Sequence, residues 1–356
     1  MSAIPVEERI ERYQVWRNRL PASGPMIGFA WEPEVPPLPE MMDRLGLERE
    51  ISPQKIDPKA VLPYLEQWYQ EDCRLHSETI QSFGPAFGIP WVEAMAGCPV
   101  VAYPGSLWAE AFLKSYDDRP AIRFDPASAW LRKLVEFTNA MVELAAGRFP
   151  VCLPLMRGPL DTLAAMRTPA QMCLDMVDRP EAVHQLLGEI TDLWIGIAQT
   201  LLPLIPPFHG GSCSRMRMWV PGPSITPQND VSSLLSPAMY ETFGLPYDRR
   251  ITARFPFHSF HMHSTEHHQM DVLVKIEDLT ALQMFLQHHA GGPPLAKVMP
   301  SVKRAMAKKP LLLGVPDAET ADICLAELPS EGLCLMLTAG GGEITDEHKE
   351  WLMRHC

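Results

Sequence analysis

The 356-residue, 39.9 kDa chain is too long for a small binding module and has the length of one large α/β barrel or of two mid-sized domains. Its 46% hydrophobic and 21% charged residues exclude a disordered or collagen-like chain. The excess of 43 Asp+Glu over 31 Lys+Arg, a formal charge of -12 with pI near 5.5, excludes recruitment of nucleic acid by bulk electrostatics. The eight cysteines show no CxxC spacing and sit mostly in apolar stretches such as Val151-Cys152-Leu153, which predicts free thiols in a reducing, cytoplasmic setting. No secretion signal is read at the start, and no apolar run is long enough to span a bilayer, so no membrane association is expected.

In chain order, the charged amphipathic residues 5–19 predict a helix, read as an N-terminal helical lead-in over residues 1–24. Residues 25–356 are then one domain. Strand-like runs follow at Met26–Trp31, less distinctly at Ile89–Ala96, and at Phe149–Met156, Cys213–Val220, His258–Ser264, Leu279–Gln287, Pro310–Val315 and Leu333–Ala339. Helices are placed between them by their starts: Asp125-Pro126 opens one reaching Gly147, Asp178 with Pro180 opens one reaching about Leu204, and Ser236-Pro237 and Asp346 open two more. Eight strands alternating with helices predict an α/β fold of the (β/α)₈ TIM-barrel type.

The densest polar cluster is Phe257-His258-Ser259-Phe260-His261-Met262-His263-Ser264, with Glu266, His267 and His268 beyond it. Strand residues two apart share a face, so His261 and His263 project together and form half of a site for zinc or another divalent metal; the plainer reading has them bonding loop carbonyls or an acidic substrate. Asp230, after Gln228-Asn229, lies in a strand-to-helix loop of the catalytic face and is a candidate proton handler or further ligand, or else a simple turn cap. Arg157 is a candidate carboxylate clamp and Asp161 a candidate catalytic acid, unless the two pair with each other. Glu93, in an apolar run beside Cys98, needs a partner if buried and is a third candidate catalytic carboxylate. Trp91, Trp219 and Asn229 flank these groups and are read as substrate contacts, and Gly340 and Gly341 offer backbone N–H groups to an anion.

Several segments carry a resemblance in the same order along the chain. Gly158-Pro159-Leu160-Asp161-Thr162-Leu163, the stretch Leu174 to Val183, Leu235-Ser236-Pro237-Ala238-Met239-Tyr240 with Gly244-Leu245-Pro246-Tyr247, and Trp91-Val92-Glu93-Ala94 with Gly97-Cys98-Pro99 resemble the uroporphyrinogen decarboxylase superfamily over roughly residues 80–340. The resemblance implies a TIM barrel and either decarboxylation or corrinoid-dependent methyl transfer. Authentic uroporphyrinogen decarboxylases hold their substrate's carboxylates with an Arg-rich N-terminal segment, whereas residues 24–40 here contain no Arg or Lys. Methyltransferases of the superfamily place a His-x-Cys pair on a late strand with a distant Cys completing a zinc site; His261-x-His263 resembles that pair, while Thr338 to Gly340 stand where the third ligand would be. The expected function is therefore a metal-assisted methyltransferase acting on a small molecule with a thiol or with a separate corrinoid protein, since the chain has no DxHxxG cobalamin motif. The alternatives are a metal-free carboxy-lyase for a small carboxylic acid or tetrapyrrole, using Asp230, a histidine and Arg157, and a non-catalytic binding barrel. Apolar surface on the outer helices would support a homodimer.

Overall fold

The computed structural model describes residues 4–31, 50–85, 88–103, 106–117, 119–340 and 344–356. Its strands are Met26–Trp31 (β1), Val100–Tyr103 (β2), Ser106–Ala109 (β3), Ser212–Cys213 (β4), Trp219–Val220 (β5), Ser224–Ile225 (β6), Phe257–His263 (β7), Ala281–Phe285 (β8), Leu311–Val315 (β9) and Leu333–Gly340 (β10). Six of them form one parallel sheet in the order β1-β10-β9-β8-β7-β6, and β2-β3 and β4-β5 are antiparallel pairs. Parallel strands need crossover segments, and helices such as 129–145, 180–201, 295–306 and 318–327 supply them. Among the described residues no helix is long and apolar enough to cross a membrane.

Near-continuous apolar runs such as Leu311-Leu312-Leu313 and Leu333-Cys334-Leu335-Met336-Leu337 are what a sheet covered on both faces requires. The two faces carry separate cores. Ile27, Phe29, Leu282, Met284, Leu311, Leu313, Leu335 and Leu337 pack under the outer helices. Met26, Ala30, Ala281, Leu312, Cys334 and Met336 point the other way and pack with Tyr13 and Trp16 of the N-terminal helix 6–17 and with the β4-β5 hairpin. Trp16 donates its indole N–H to the carbonyl of Leu311, the first residue of β9, at 3.2 Å. The lead-in helix thus covers the N-terminal end of the strands and leaves their C-terminal ends for the site.

Both free edges of the sheet are engaged by further extended chain. Glu78 N–H donates to the Ile27 carbonyl beside β1, and Phe83 forms a parallel bridge with Val151. Beyond β6, Gln228 continues the parallel pairing by bridging His261. This arrangement of parallel sheet, helices and edge segments is consistent with a TIM-like barrel.

Three expected strands are corrected. Among the described residues, Phe149–Met156 makes only one parallel bridge, Val151 with Phe83, because Pro150 and Pro154 have no N–H to donate to a ladder. Ile89–Ala96 contains the short helix 91–95, closed by Ala94 N–H to Pro90 O at 2.9 Å and Ala96 N–H to Val92 O at 2.8 Å. Trp91, Val92, Glu93 and Ala94 are all buried, so the run shows no helical period in its apolarity and reads like a strand; the place beside β1 belongs instead to residues 77–83. Cys213–Val220 is a hairpin, because Arg217 takes a left-handed φ of 61° and donates its N–H back to Ser214 O at 2.9 Å. The parallel strand begins only at Ser224, after that turn.

Candidate functional site

The C-terminal half of β7 carries the pair that strand geometry predicts. His261 and His263 point to the same side, with their Nε2 atoms 3.4 Å apart. His261 is 4% exposed, and its main-chain N–H donates to Pro227 O at 2.9 Å, which binds β7 to the segment leading to Asp230. One donor atom each from Asp230, His261 and His263 lies within 4.8 Å of the others. The donors themselves test the fit. Two zinc–nitrogen bonds of about 2.0–2.1 Å at a tetrahedral angle set their nitrogens roughly 3.3 Å apart, close to the observed separation. Asp230 Oδ1 is buried without a hydrogen-bond partner, which is costly unless something positive or polar shares the space.

The surroundings hold these donors in place. In register with His261 on the neighbouring strand is Gln283, 1% exposed, whose Oε1 accepts from His261 Nδ1. A carbonyl oxygen there requires the proton on Nδ1 and leaves Nε2 as the electron-pair donor. Gln228 donates to Asp230 Oδ2 at 3.0 Å, leaving Oδ1 uncommitted. Glu266 accepts from the His263 N–H at 2.6 Å and from the Thr265 hydroxyl; burial pushes its carboxyl up to about 7. The Phe285 ring packs edge-on to His261 at 5.7 Å, and it fits because position 314 is glycine: a Cβ there would come within 2.1 Å of the ring.

The other expected site residues divide into braces, a rim pair and residues placed elsewhere. Asp161 accepts from the main-chain N–H groups of Asp230 at 3.0 Å and Val231 at 2.8 Å, so both its oxygens position the Asp230 turn. Burial, then the charge of Asp230, pushes the Asp161 carboxyl up. Asn229 uses both ends of its amide, accepting from Leu160 N–H at 3.0 Å and donating to Asp248 at 2.8 Å, and is a brace in the fold. Arg157 does not pair with Asp161; its half-exposed guanidinium lies 3.6 Å from the buried carboxylate of Glu93. Burial raises the Glu93 carboxyl and Arg157 opposes the rise, while burial and the Glu93 charge push the Cys98 thiol far up, which makes it a poor nucleophile.

Trp91 is packed in the outer core, its ring edge-on to Trp130 at 6.1 Å, where an apolar surface must be filled. Trp219 sits in the hairpin that packs on the N-terminal helix, and its indole donates to Phe208 O at 3.0 Å. Trp219, expected as a substrate contact, is instead buried in the second core with Tyr13 and Trp16. Gly340 ends β10, and Gly341 lies outside the described residues, so the expected anion loop is not described. Thr338, where the resemblance places a third ligand, donates its hydroxyl to Val315 O at 3.0 Å; the donor that stands near the two imidazoles is Asp230.

Sequence reasoning did not single out Gln283, Gln228 or Asp248. The signal for Gln283 was present, since one amide interrupts the apolar run Ala281-Leu282-Gln283-Met284-Phe285. For Asp248 the signal is weaker, because a helical aspartate is usually solvated; here it is fully buried and accepts from Asn229 and the Tyr240 hydroxyl.

No protein-family model matches the chain, and no curated protein matches it in sequence. Among solved structures, a methyltransferase from Methanosarcina mazei is superposed over 98% of this chain and 97% of its own, with 12% sequence identity and a TM-score of 0.65. At that identity the likeness is one of fold: this chain shares its α/β architecture, over nearly its whole length, with that methyltransferase.

Proposed function

We propose that the chain is a methyltransferase-like enzyme on a closed (β/α)₈ barrel, completed by the extended segments 77–84 and 150–156, and that it holds one divalent transition metal, zinc by its donor set, on Asp230, His261 and His263. The observation that carries the reading is the convergence of these donors within 4.8 Å beyond and along the C-terminal halves of parallel strands, the end at which such folds place their chemistry. Its second support is the fold likeness to a methyltransferase. Three nitrogen and oxygen donors leave a fourth position for substrate, as catalytic zinc sites do. A bound zinc would hold a substrate thiol as thiolate at neutral pH or polarise a methyl donor.

The chain's own residues do the rest. Gln283 keeps the His261 proton on Nδ1 and thereby turns Nε2 toward Asp230 and His263. Asp161 and Gln228 fix the main chain and one carboxylate oxygen of Asp230. Phe285 excludes water from one side of the imidazole pair. Arg157, anchored by Glu93 yet half exposed, offers its remaining N–H groups to a carboxylate or another anion on the small-molecule substrate. The methyl group's other station is a thiol or a separate corrinoid protein.

The test is elemental analysis of purified and zinc-reconstituted protein. Relative to wild type, His261→Ala and His263→Ala each lose one equivalent of zinc. Equal zinc content in all three proteins, or none in wild type after reconstitution, overturns the reading.

A further inference from the structure

A second group of donors stands outside the site described above. His288 and His289 begin the short turn 288–290 in the loop after β8, and Asp317 caps helix 318–327 just after β9. We propose that His288, His289 and Asp317 form a second binding site for a divalent transition metal, built from donors that the Asp230, His261 and His263 centre does not use.

Three observations carry it. First, one donor atom from each of the three residues lies within 4.8 Å of the others. Two imidazoles and a carboxylate are a donor set that Zn²⁺, Co²⁺ and Ni²⁺ accept readily and that alkaline-earth ions do not favour. Second, the carboxylate is already oriented. Asp317 Oδ1 accepts from Thr320 N–H at 2.7 Å as a helix cap, which directs Oδ2 to His289 Nε2 at 2.7 Å. A cap with one hydrogen bond would use only Asp317 and His289. Third, His288 has no part in that arrangement: its Nε2 lies 3.2 Å from the Thr320 hydroxyl, and its Nδ1 is buried with no hydrogen-bond partner. The two rings stand 4.1 Å apart, so both imidazoles can be presented to one ion.

The loop that presents the pair is tightly built. Gly291 takes a left-handed φ of 84°, and a Cβ on Gly292 would come within 2.8 Å of Gln287 O. Gln287 N–H donates to the Ser264 hydroxyl at 3.1 Å, and Ser264 directly follows His263. An ion at this place therefore ties the loops after β8 and β9 together and steadies the chain next to the first centre.

Cobalt titration, followed by visible absorption and elemental stoichiometry on chelator-treated protein, tests the assignment. Wild type binds two equivalents of Co²⁺. His261→Ala/His263→Ala retains one equivalent, and adding His289→Ala weakens that one at least tenfold. Asp317→Asn, which keeps a capping oxygen and with it the helix start, weakens the same equivalent. If His261→Ala/His263→Ala binds no cobalt while wild type binds one, the second site is overturned and the proposed first centre stands. If wild type binds a single equivalent that survives His261→Ala/His263→Ala and is lost with His289→Ala, the second site stands and the first falls.

Discussion

At the scale of single residues, the informative groups are those whose second hydrogen-bonding atom is committed. His261 differs from an ordinary core histidine because Gln283 fixes which nitrogen carries the proton, and Asp230 differs from a turn cap because Asp161 and Gln228 do the capping around it. Partners of this kind are worth about 10–100-fold in metal affinity. Gln283→Ala is therefore expected to weaken zinc binding by about that factor while Gln283→Glu, which still presents an acceptor to Nδ1, retains it; competition with a chromogenic chelator measures both. Equal affinity in wild type and Gln283→Ala would remove the positioning role. Asp230→Asn, which lowers the donor charge without changing shape, is expected to weaken zinc at least tenfold in the same assay.

At the scale of elements, close approach between segments places the site. Gly158 sits where the chain after Val151 passes the chain before Asp230, and a Cβ there would lie 2.0 Å from Gln228 O and 2.4 Å from Asn229 Oδ1. Gly158→Ala must push these two segments apart at a main-chain contact, which costs about 1–3 kcal/mol and displaces Asp230. The expected result is a lower urea midpoint together with weaker zinc binding; unchanged values in both would show that the contact relaxes without effect. A surface element gives the opposite sign. Ala146, exposed at the end of helix 129–145, adopts left-handed φ 45° and ψ 34°, a conformation that costs an L-residue about 1–2 kcal/mol and glycine little. Ala146→Gly is expected to raise stability by about 0.5–1 kcal/mol in urea unfolding, with the site untouched.

At the scale of the whole molecule, one buried acid links stability to pH. Burial pushes the Asp248 carboxyl up to about 7, against the downward pull of its bonds from Tyr240 and Asn229. An unfolded aspartate titrates near about 3.9. Below about pH 4 the group is neutral in both states and its contribution to stability is full; between about pH 4 and 7 the unfolded chain ionises while the folded one stays protonated, so that contribution is lost as pH rises, in total on the order of 4 kcal/mol. Asp248→Asn cannot titrate, so the stability difference between wild type and variant should shift steadily in the variant's favour from pH 4 to 7 and level off above. A difference independent of pH would place the Asp248 carboxyl at an ordinary value.

How far the molecule could be read in advance follows the range of the forces involved. Periodicity and caps are local, and they sufficed for the N-terminal helix, for helices 129–145 and 180–201, and for β1, β7, β8, β9 and β10. Strand alternation alone put His261 and His263 on one face. The failures fell where local pattern is silent or misleading: the apolar run 149–156 reads as a strand, yet its prolines leave it a single bridge at Val151. Residues 89–96 are buried all round and so carry no period, and the run 213–220 conceals a turn that only the φ of Arg217 reveals. Residues 77–83 lie beside β1 although their polar side chains do not resemble a strand. Composition, apolar runs and the HxH spacing thus give the α/β class with its parallel sheet and the shared face of His261 and His263, because these depend on neighbours in the chain. Asp230 beside the imidazoles, Gln283 behind His261, the packing of Trp219 with the N-terminal helix and the meeting of Asp317 with His288 and His289 are set by strand order and close main-chain approach between residues far apart along the chain, and no local pattern encodes them.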